Sequence, residues 1–186
     1  MTGKAIYFIT GSTGAGKTTL LKGVVKAACP NLSAHHLDDL GIPTVEEMNA
    51  RYGGPANWQA YNVRRWIENV IQTDGADLVV LDGQARPSII MDAANEAGFS
   101  AIHVTLIDGS HAERRRRLLV ERTQPELDML DTYAWAAYLR GQADALKLEI
   151  IDTTGMSLPD SVRCLAGSIR RFAEEKGIHL DWLDDP

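Results

Sequence analysis

Short apolar runs alternate along the chain with longer segments in which apolar residues recur at helical spacing. The runs have the length of strands and cover residues 5–9, 32–37, 77–81, 101–107 and 148–151. In the run at 77–81, four apolar residues follow one another without a polar interruption. Such continuous runs are typical of strands that are covered on both faces of a sheet.

Helical patterns separate these runs. They cover residues 18–28, 55–73, 87–97, 111–121, 125–147 and 158–175. Strands that alternate with helices indicate βαβ units and a parallel sheet. We therefore predict a three-layer α/β fold with five parallel strands and helices on both faces, built as one domain over residues 1–186. Residues 41–55 contain three Gly and two Pro and are predicted to form a mobile insertion.

Composition narrows the classes of partner. Lys and Arg total 19 against 25 Asp and Glu, a formal charge of -6, which disfavours binding to nucleic acid or an anionic membrane through the overall field. No segment approaches the ~18 consecutive apolar residues of a membrane span. The first apolar run is too short for the core of a signal peptide. Cys29 and Cys164 have no disulfide or metal-site spacing and are predicted to be buried, reduced thiols. We expect a cytoplasmic protein with no nucleic-acid or membrane partner, whereas the oligomeric state cannot be deduced from the sequence.

A glycine-rich segment joins the first strand to the first helix. Its sequence, Gly11-Ser-Thr-Gly-Ala-Gly-Lys17-Thr18, matches G-x-x-x-x-G-K-S/T. Glycines allow backbone N–H groups to point inward at phosphate oxygens, and the helix that follows adds its positive end. The lysine reaches the β- and γ-phosphates, and the threonine hydroxyl binds Mg²⁺. The residues predicted to bind ATP here are Gly11, Ser12, Thr13, Gly14, Ala15, Gly16, Lys17, Thr18 and Thr19.

A second candidate group for holding Mg²⁺ follows the strand at 77–81. Asp82 stands at the carboxyl end of that strand, where open α/β sheets bind their ligands. A strand-end aspartate can also be a simple cap. The phosphate loop in the same chain favours a role in holding Mg²⁺, together with Thr18.

Four consecutive arginines, residues 114–117, lie in a helical segment, and Arg122 follows them. Successive helical residues point in different directions, so about two of them, such as Arg114 and Arg117, can share a face. The segment could be a solvated basic helix, a nucleic-acid patch, or a lid over residues 109–125 that closes on ATP. A cluster of cations in an acidic protein favours the lid, with arginines that neutralise the transferring phosphoryl group.

The acceptor side is predicted around the second strand and the long helix. Asp38 and Asp39 follow the strand and could accept a proton from an acceptor hydroxyl, hold Mg²⁺ or cap the loop. Metal binding by His35 and His36 is disfavoured because adjacent strand residues point to opposite faces. In the helix at 55–73, one face is apolar, with Val63, Ile67, Val70 and Ile71. The other face carries Trp58, Tyr61, Asn62 and Arg65 and forms either exposed surface or a wall of the acceptor pocket.

These features together resemble the small P-loop kinases, such as adenylate, shikimate and gluconate kinases. The segment Asp82-Gly-Gln-Ala-Arg86 is similar to the Asp-Gly-x-x-Arg segment of adenylate kinases, which implies that Asp82 serves Mg²⁺ and that Arg86 holds the acceptor. The resemblance also implies that Asp38 contacts the acceptor hydroxyl and that Arg117 and Arg122 are lid arginines. It further implies an adenine loop at Asp152, Thr153 and Thr154. The long lid insertion of larger adenylate kinases is absent, and so is their arginine pattern in residues 38–51.

The sequence thus predicts an ATP-dependent, Mg²⁺-dependent phosphotransferase that acts on the hydroxyl group of a small molecule or on a nucleoside monophosphate. We assign catalytic roles to Lys17, Asp38, Arg117 and Arg122. Residues 41–75 are expected to bind the acceptor, and the candidates for direct contact are Asp39, Trp58, Arg65, Gln84 and Arg86, around a cavity between Asp38, Trp58 and Arg86. The alternatives are a partner-stimulated ATPase, an ATP-binding switch, or a structural domain that no longer binds nucleotide.

Overall fold

A computed structural model describes residues 4–27, 31–73 and 75–180. Its strands are β1 (Ala5–Thr10), β2 (Leu32–His36), β3 (Leu78–Asp82), β4 (Ile102–Asp108) and β5 (Glu149–Asp152). Its helices are α1 (Lys17–Ala27), α2 (Val45–Tyr52), α3 (Pro55–Thr73), α4 (Pro87–Glu96), α5 (His111–Arg116), α6 (Leu130–Ala145) and α7 (Leu158–Glu175). All five strands are parallel and lie in the order β2-β3-β1-β4-β5. The predicted five-stranded α/β fold is confirmed.

β1 lies at the centre of the sheet and contributes to both hydrophobic cores. Tyr7 and Ile9 pack with residues of α1 and α7, whereas Ile6 and Phe8 pack with residues of α3 and α4. Because successive strand residues point to opposite faces, one strand supports both outer layers. This arrangement holds the end of β1, and the loop that follows it, between two packed helical layers.

The segment between β2 and α3 differs from the sequence prediction. A single 3₁₀ turn, Leu37–Leu40, continues β2 and is followed by α2. Thr44 Oγ1 accepts a hydrogen bond from Glu47 N at 3.2 Å, and Glu47 Oε2 accepts one from Thr44 N at 2.9 Å. This capping box starts a helix that Gly53 ends in the left-handed conformation. The predicted insertion over residues 41–55 therefore contains a capped helix that the sequence analysis did not anticipate, and its mobility stays a prediction.

The second half of the chain also departs from the predicted helix boundaries. The predicted helix at 111–121 becomes α5 followed by a π-helical turn, Arg117–Glu121. A 3₁₀ turn at Pro125–Leu127 precedes α6, which starts five residues later than predicted, at Leu130. Cys164 is exposed, contrary to the prediction, whereas Cys29 and the side chain of Ile71 lie outside the described residues. Among the residues described, no helix is both long and apolar enough to cross a membrane.

Candidate active site

The glycine-rich loop curls between β1 and α1. Gly14 and Gly16 adopt positive φ values of 79° and 100°, which side chains on L-residues rarely allow. A Cβ on Gly14 would lie 3.2 Å from the carbonyl oxygen of Arg114, so the loop also packs tightly against α5. The local sequence therefore builds the predicted concave backbone, and the segment after β4 covers it.

Lys17 folds over this loop. Its Nζ donates hydrogen bonds to Gly11 O at 2.8 Å and Ser12 O at 3.2 Å. Burial lowers the pKa of Lys17, the carboxylate of Asp82 raises it, and the nearby Arg122 lowers it. The ammonium group is thus held inside the loop, next to an acid and a second cation.

Asp82 ends β3 beside the loop. Its Oδ2 accepts a hydrogen bond from Thr18 Oγ1 at 2.9 Å and lies 3.2 Å from His36 Nδ1. Its Oδ1 is buried and has no hydrogen-bond partner in the described part of the chain. A buried carboxylate oxygen without a partner is costly, and a hydroxyl and a carboxylate are oxygen donors of the kind Mg²⁺ prefers. Thr18 and Asp82 therefore fit a Mg²⁺ site that phosphate oxygens and water would complete.

A central cavity of about 450 Å³ opens in front of this pair. Its lining residues come from the loop and the start of α1, from the end of β2 and the 3₁₀ turn after it, from the end of β3 and the segment after it, and from the residue after the π turn. They are Ser12, Thr13, Gly14, Gly16, Lys17, Thr18, His36, Asp38, Asp39, Asp82, Gly83, Gln84 and Arg122. The cavity has the size of a small-molecule site, and charged groups converge on it. It brings together most of the residues that the sequence analysis assigned to phosphate, metal and acceptor.

The two adjacent acids in the central cavity have different environments. Burial raises the pKa of Asp38, the neighbouring carboxylate of Asp82 raises it further, and Lys17 lowers it. Asp39 Oδ2 accepts a hydrogen bond from the backbone N of His36 at 2.9 Å and so caps the 3₁₀ turn. Asp38, whose pKa is raised, is therefore the candidate proton acceptor, whereas the carboxylate of Asp39 is engaged in capping the turn.

Arg117 of the arginine segment donates a hydrogen bond to the glycine-rich loop. Arg117 Nη1 donates to Ala15 O at 2.9 Å and to Thr153 Oγ1 at 3.0 Å, and Nε donates to Glu113 at 3.1 Å. Arg122 is exposed and lines the central cavity. These are the two arginines that the sequence analysis placed in the lid.

The other arginines of this segment have structural partners. Arg114 is buried, forms an ion pair of 2.6 Å with Asp108 and donates to Gly109 O. Arg115 pairs with Asp128 at 3.0 Å, and Arg116 pairs with Glu113 and Glu121, each at 2.8 Å. The sequence analysis gave Arg114 and Arg117 as a pair that can share one helix face. In the structure each of the two side chains has its own set of partners.

A second cavity, of about 290 Å³, lies behind the loop and is called here the Thr153 cavity. Ala15, Thr19, Arg117 and Thr153 contribute to its lining. The other two residues of the predicted adenine loop stabilise the loop itself. Asp152 Oδ1 accepts hydrogen bonds from Thr154 N at 2.9 Å and from Thr154 Oγ1 at 2.6 Å. Thr153 is thus the member of this trio that faces a cavity.

The predicted acceptor residues do not share one cavity. Asp39 and Gln84 line the central cavity, whereas Trp58 and Arg65 line a third cavity of about 380 Å³. Arg86 lines neither of these two. Its Nη1 donates to Gln59 Oε1 at 3.2 Å, and its guanidinium carbon lies 4.9 Å from the ring centroid of Trp135. The expected single cavity between Asp38, Trp58 and Arg86 is therefore wrong.

Polar residues of α3 support the site in a way that the sequence analysis missed. Gln59 is buried. Its Nε2 donates a hydrogen bond to Gln84 O, and its Oε1 accepts one from Arg86 N, both at 3.0 Å. Asn62 and Trp66 both donate to Leu37 O, at 3.0 Å. These three residues at helical spacing hold the segments after β2 and β3 in place. Their helical spacing indicates a common face, but the sequence analysis placed Asn62 on the aromatic and polar face instead.

Comparisons with known proteins bear on the fold. No family model matches the chain, and no curated protein is detectably similar to it in sequence. Solved structures do match it over nearly its whole length. A gluconokinase from Sinorhizobium meliloti superposes with a TM-score of 0.60 at 16% identity, covering 92% of this chain and 94% of its own.

Two further structures agree. The tunicamycin resistance protein of Deinococcus radiodurans has a TM-score of 0.61 at 14% identity, covering 95% of this chain and 98% of its own. A shikimate kinase from Bacteroides thetaiotaomicron has a TM-score of 0.57 at 19% identity, covering 89% of this chain and 98% of its own. The chain has the fold of the small P-loop kinases. The predicted resemblance is confirmed at the level of architecture.

Proposed function

We propose that this protein is an ATP-dependent phosphotransferase that moves the γ-phosphoryl group of ATP to a hydroxyl group of a small molecule. The observation that carries the proposal is the shared central cavity. It contains Lys17 of the glycine-rich loop, the Thr18–Asp82 pair and a further acid, Asp38, with a raised pKa. A domain that only binds nucleotide has no need of that additional acid.

The donor side uses the loop and Lys17. The backbone N–H groups of the loop and the start of α1 bind the phosphates, and Lys17 leaves its two carbonyl partners to contact the γ-phosphate. The Thr153 cavity has the right position behind the loop to take the base of ATP. Arg117 would close that cavity, because it already joins the loop to Thr153.

Thr18 and Asp82 would hold Mg²⁺, and the buried Oδ1 of Asp82 supports this assignment. When bound, the ion neutralises charge on the phosphate oxygens. Asp82 in turn keeps the Thr18 hydroxyl oriented toward the loop, through the hydrogen bond of 2.9 Å.

Asp38 would accept the proton of the acceptor hydroxyl. As the acceptor oxygen forms its bond to phosphorus, the bond between the γ-phosphorus and the bridging oxygen breaks and ADP leaves with that electron pair. Lys17 and Arg122 stand on the loop side and the lid side of the cavity and would stabilise the charge that spreads over the transferring group. Asp38 later releases its proton to solvent.

The fold neighbours named gluconokinase and shikimate kinase favour a small acceptor with a hydroxyl group over a protein partner. The absence from residues 38–51 of the arginine pattern of adenylate kinases argues against AMP. A cytoplasmic location, where ATP is abundant, fits the proposal and stays a prediction.

The test is an ADP-release assay with Mg²⁺ and a panel of sugars, sugar acids, shikimate, nucleosides and nucleoside monophosphates, with product analysis by mass spectrometry. We expect acceptor-dependent ADP and a product heavier by one phosphoryl group. Lys17→Ala should abolish it, whereas Lys22→Ala, an exposed lysine on the same helix, should not. ADP formation that no acceptor stimulates and that a protein partner raises would favour the ATPase or switch.

A further inference from the structure

The carboxylate of Asp108 joins two helices to one strand end. Asp108 is the last residue of β4, which pairs with β1 on one side and with β5 on the other. Its Oδ1 lies 2.6 Å from Nη1 of Arg114 in α5, and its Oδ2 lies 3.1 Å from Nη1 of Arg140 in α6. Each oxygen of one carboxylate therefore accepts from a different guanidinium group. Such charge-assisted hydrogen bonds are stronger than neutral ones and fix the direction of both partners.

The two helices flank the segment 117–129. α5 comes directly before this segment, and α6 comes directly after it. The segment begins with the π turn and carries Arg117, which contacts the glycine-rich loop, and Arg122, which lines the central cavity. Asp108 therefore holds the segment at both of its ends.

The contact with Arg114 is the more strongly held of the two. Arg114 is only 7% exposed, and its Nη1 also donates to Gly109 O. In the part of the chain that the structure describes, Asp108 is the acid that pairs with this guanidinium. A buried charge that loses its counter-ion is costly, so the pair fixes α5 to the end of β4.

Asp108 also holds the residue that receives Arg117. Thr153 donates to the backbone carbonyl oxygen of Asp108 from its N at 3.0 Å and from its Oγ1 at 2.9 Å. Arg117 Nη1 in turn donates to Thr153 Oγ1 at 3.0 Å and to Ala15 O at 2.9 Å. The side chain of Asp108 thus holds the helix that presents Arg117, and its backbone holds the group that Arg117 contacts.

We infer that Asp108 is a positioning residue for the binding of ATP. Its carboxylate holds α5 through Arg114 and thereby sets Arg117 at the wall of the Thr153 cavity. The described lining of that cavity and of the central cavity does not include Asp108, so it acts through other residues. The inference rests on the proposed function, in which the Thr153 cavity takes the base of ATP.

The first experiment compares ATP with a ligand that has no base. Asp108→Asn keeps the size and the backbone carbonyl of the residue and removes its charge. We expect the Kd for ATP, measured by calorimetric titration, to rise about 10-fold, because Arg117 loses its fixed position. The Kd for inorganic tripolyphosphate should stay close to that of wild type, because the groups of the glycine-rich loop are unchanged. Asp108→Glu keeps the charge and should restore part of the affinity for ATP.

A double-mutant cycle with Arg117→Ala distinguishes positioning from a general structural role. If Asp108 acts through Arg117, then Asp108→Asn should change the Kd for ATP far less in the Arg117→Ala background than in wild type. Equal fold-changes in the two backgrounds would overturn the inference. So would a wild-type Kd for ATP in Asp108→Asn.

Asp144→Asn is the matched control, since Asp144 is exposed and pairs with Arg140 at 3.4 Å. It should leave the Kd for ATP unchanged. If Asp108→Asn does not fold, Arg140→Gln decides. Arg140 is partly exposed, and its substitution frees one oxygen of Asp108 while the pair with Arg114 remains. We then expect the Kd for ATP to rise about 3-fold, and an unchanged Kd would overturn the inference.

These measurements use binding alone and so separate failure of the inference from failure of the proposed function. A loss of ATP affinity in Asp108→Asn that depends on Arg117 supports the inference even if no acceptor is phosphorylated. Phosphoryl transfer by Asp108→Asn with a wild-type Kd for ATP contradicts the inference and leaves the proposed function intact. Absence of ATP binding to wild type at millimolar concentrations would overturn both.

Discussion

The hydroxyl of Thr18 and the carboxylate of Asp82 meet at 2.9 Å, although they lie 64 positions apart in the chain. One stands at the start of α1 and the other at the end of β3. Parallel strands end at the same edge of a sheet, so the loop after β1 and the end of β3 bring the two groups together.

Asp82→Asn should raise the Mg²⁺ concentration needed for half-maximal activity by at least about 10-fold, because a neutral amide replaces the charged group that faces the ion. Initial rates against Mg²⁺ concentration measure this effect. Asp92→Asn, at an exposed aspartate on α4, is the control and should behave as wild type. An unchanged Mg²⁺ dependence in Asp82→Asn would remove Asp82 from the metal site.

Asp38 should set the acidic limb of the pH dependence of kcat/KM. Burial raises the pKa of Asp38, so activity should fall with decreasing pH at values above those of an ordinary aspartate. Asp38→Asn should lower kcat by about 100-fold or more and abolish that limb. If Asp39→Asn abolished the limb and Asp38→Asn kept it, the roles of the two acids would be exchanged.

Arg117→Ala should weaken binding of ATP by about 10-fold, because the side chain joins Ala15 of the glycine-rich loop to Thr153. Fluorescence titration with a labelled ATP analogue measures the dissociation constant. Arg115→Ala is the comparison, since Arg115 is exposed and pairs with Asp128 away from the loop. Equal affinities in the two variants would show that Arg117 has no special role on the donor side.

Gly83→Ala should impair the site through packing. A Cβ at Gly83 would lie 2.5 Å from the Cβ of Leu37, which begins the turn that carries Asp38. We expect a lower thermal midpoint, by several degrees for a cost of about 1–3 kcal/mol, and a reduced kcat. Gly75→Ala, where a Cβ would meet no atom within 4 Å, should have neither effect. A wild-type melting curve for Gly83→Ala would contradict this packing.

Glu149 should contribute to stability away from the site. Hydrogen bonds from His103 and Ser168 and the charge of Arg171 lower the pKa of Glu149 from 4.5 to about 2, against the effect of burial. A lowered pKa means that the folded state favours the ionised form. The stabilisation is thus complete above about pH 4.5 and is lost as the pH falls toward 2.

Glu149→Gln should accordingly lower the free energy of unfolding by about 1–2 kcal/mol at pH 7, and by much less near pH 2. Urea denaturation across this pH range measures the difference. Glu126→Gln, at an exposed glutamate in a 3₁₀ turn, is the control. A constant difference between wild type and Glu149→Gln at every pH would rule out the ionised form as its cause.

The architecture and the phosphate loop were predictable because they rest on local signals. Continuous apolar runs mark buried strands, and the spacing of Gly11, Gly16 and Lys17 marks the loop. Asp82 could be predicted for a related reason, since a polar residue at the end of a buried parallel strand reaches the ligand edge of the sheet.

The acceptor side was less predictable because it depends on contacts between distant segments. The capping box at Thr44 and Glu47 was present in the sequence, but glycines and prolines around it suggested a loop instead. Arg86 contacts Gln59 of α3 and Trp135 of α6, and no local pattern in the sequence brings these two helices together. The separation of Trp58 from Asp38 into different cavities has the same cause.

The central position of β1 in the sheet also bears on how such a protein can change. β4 and β5 lie on one side of β1 and lead into Arg117 and Thr153, whereas β2 and β3 lie on the other and lead into Asp38 and Asp82. The groups proposed to serve the acceptor and Mg²⁺ therefore lie on one half of the sheet, and those proposed to bind the base of ATP lie on the other. Under the proposed function, substitutions around α2 and α3 would alter the choice of acceptor without disturbing the Thr153 cavity.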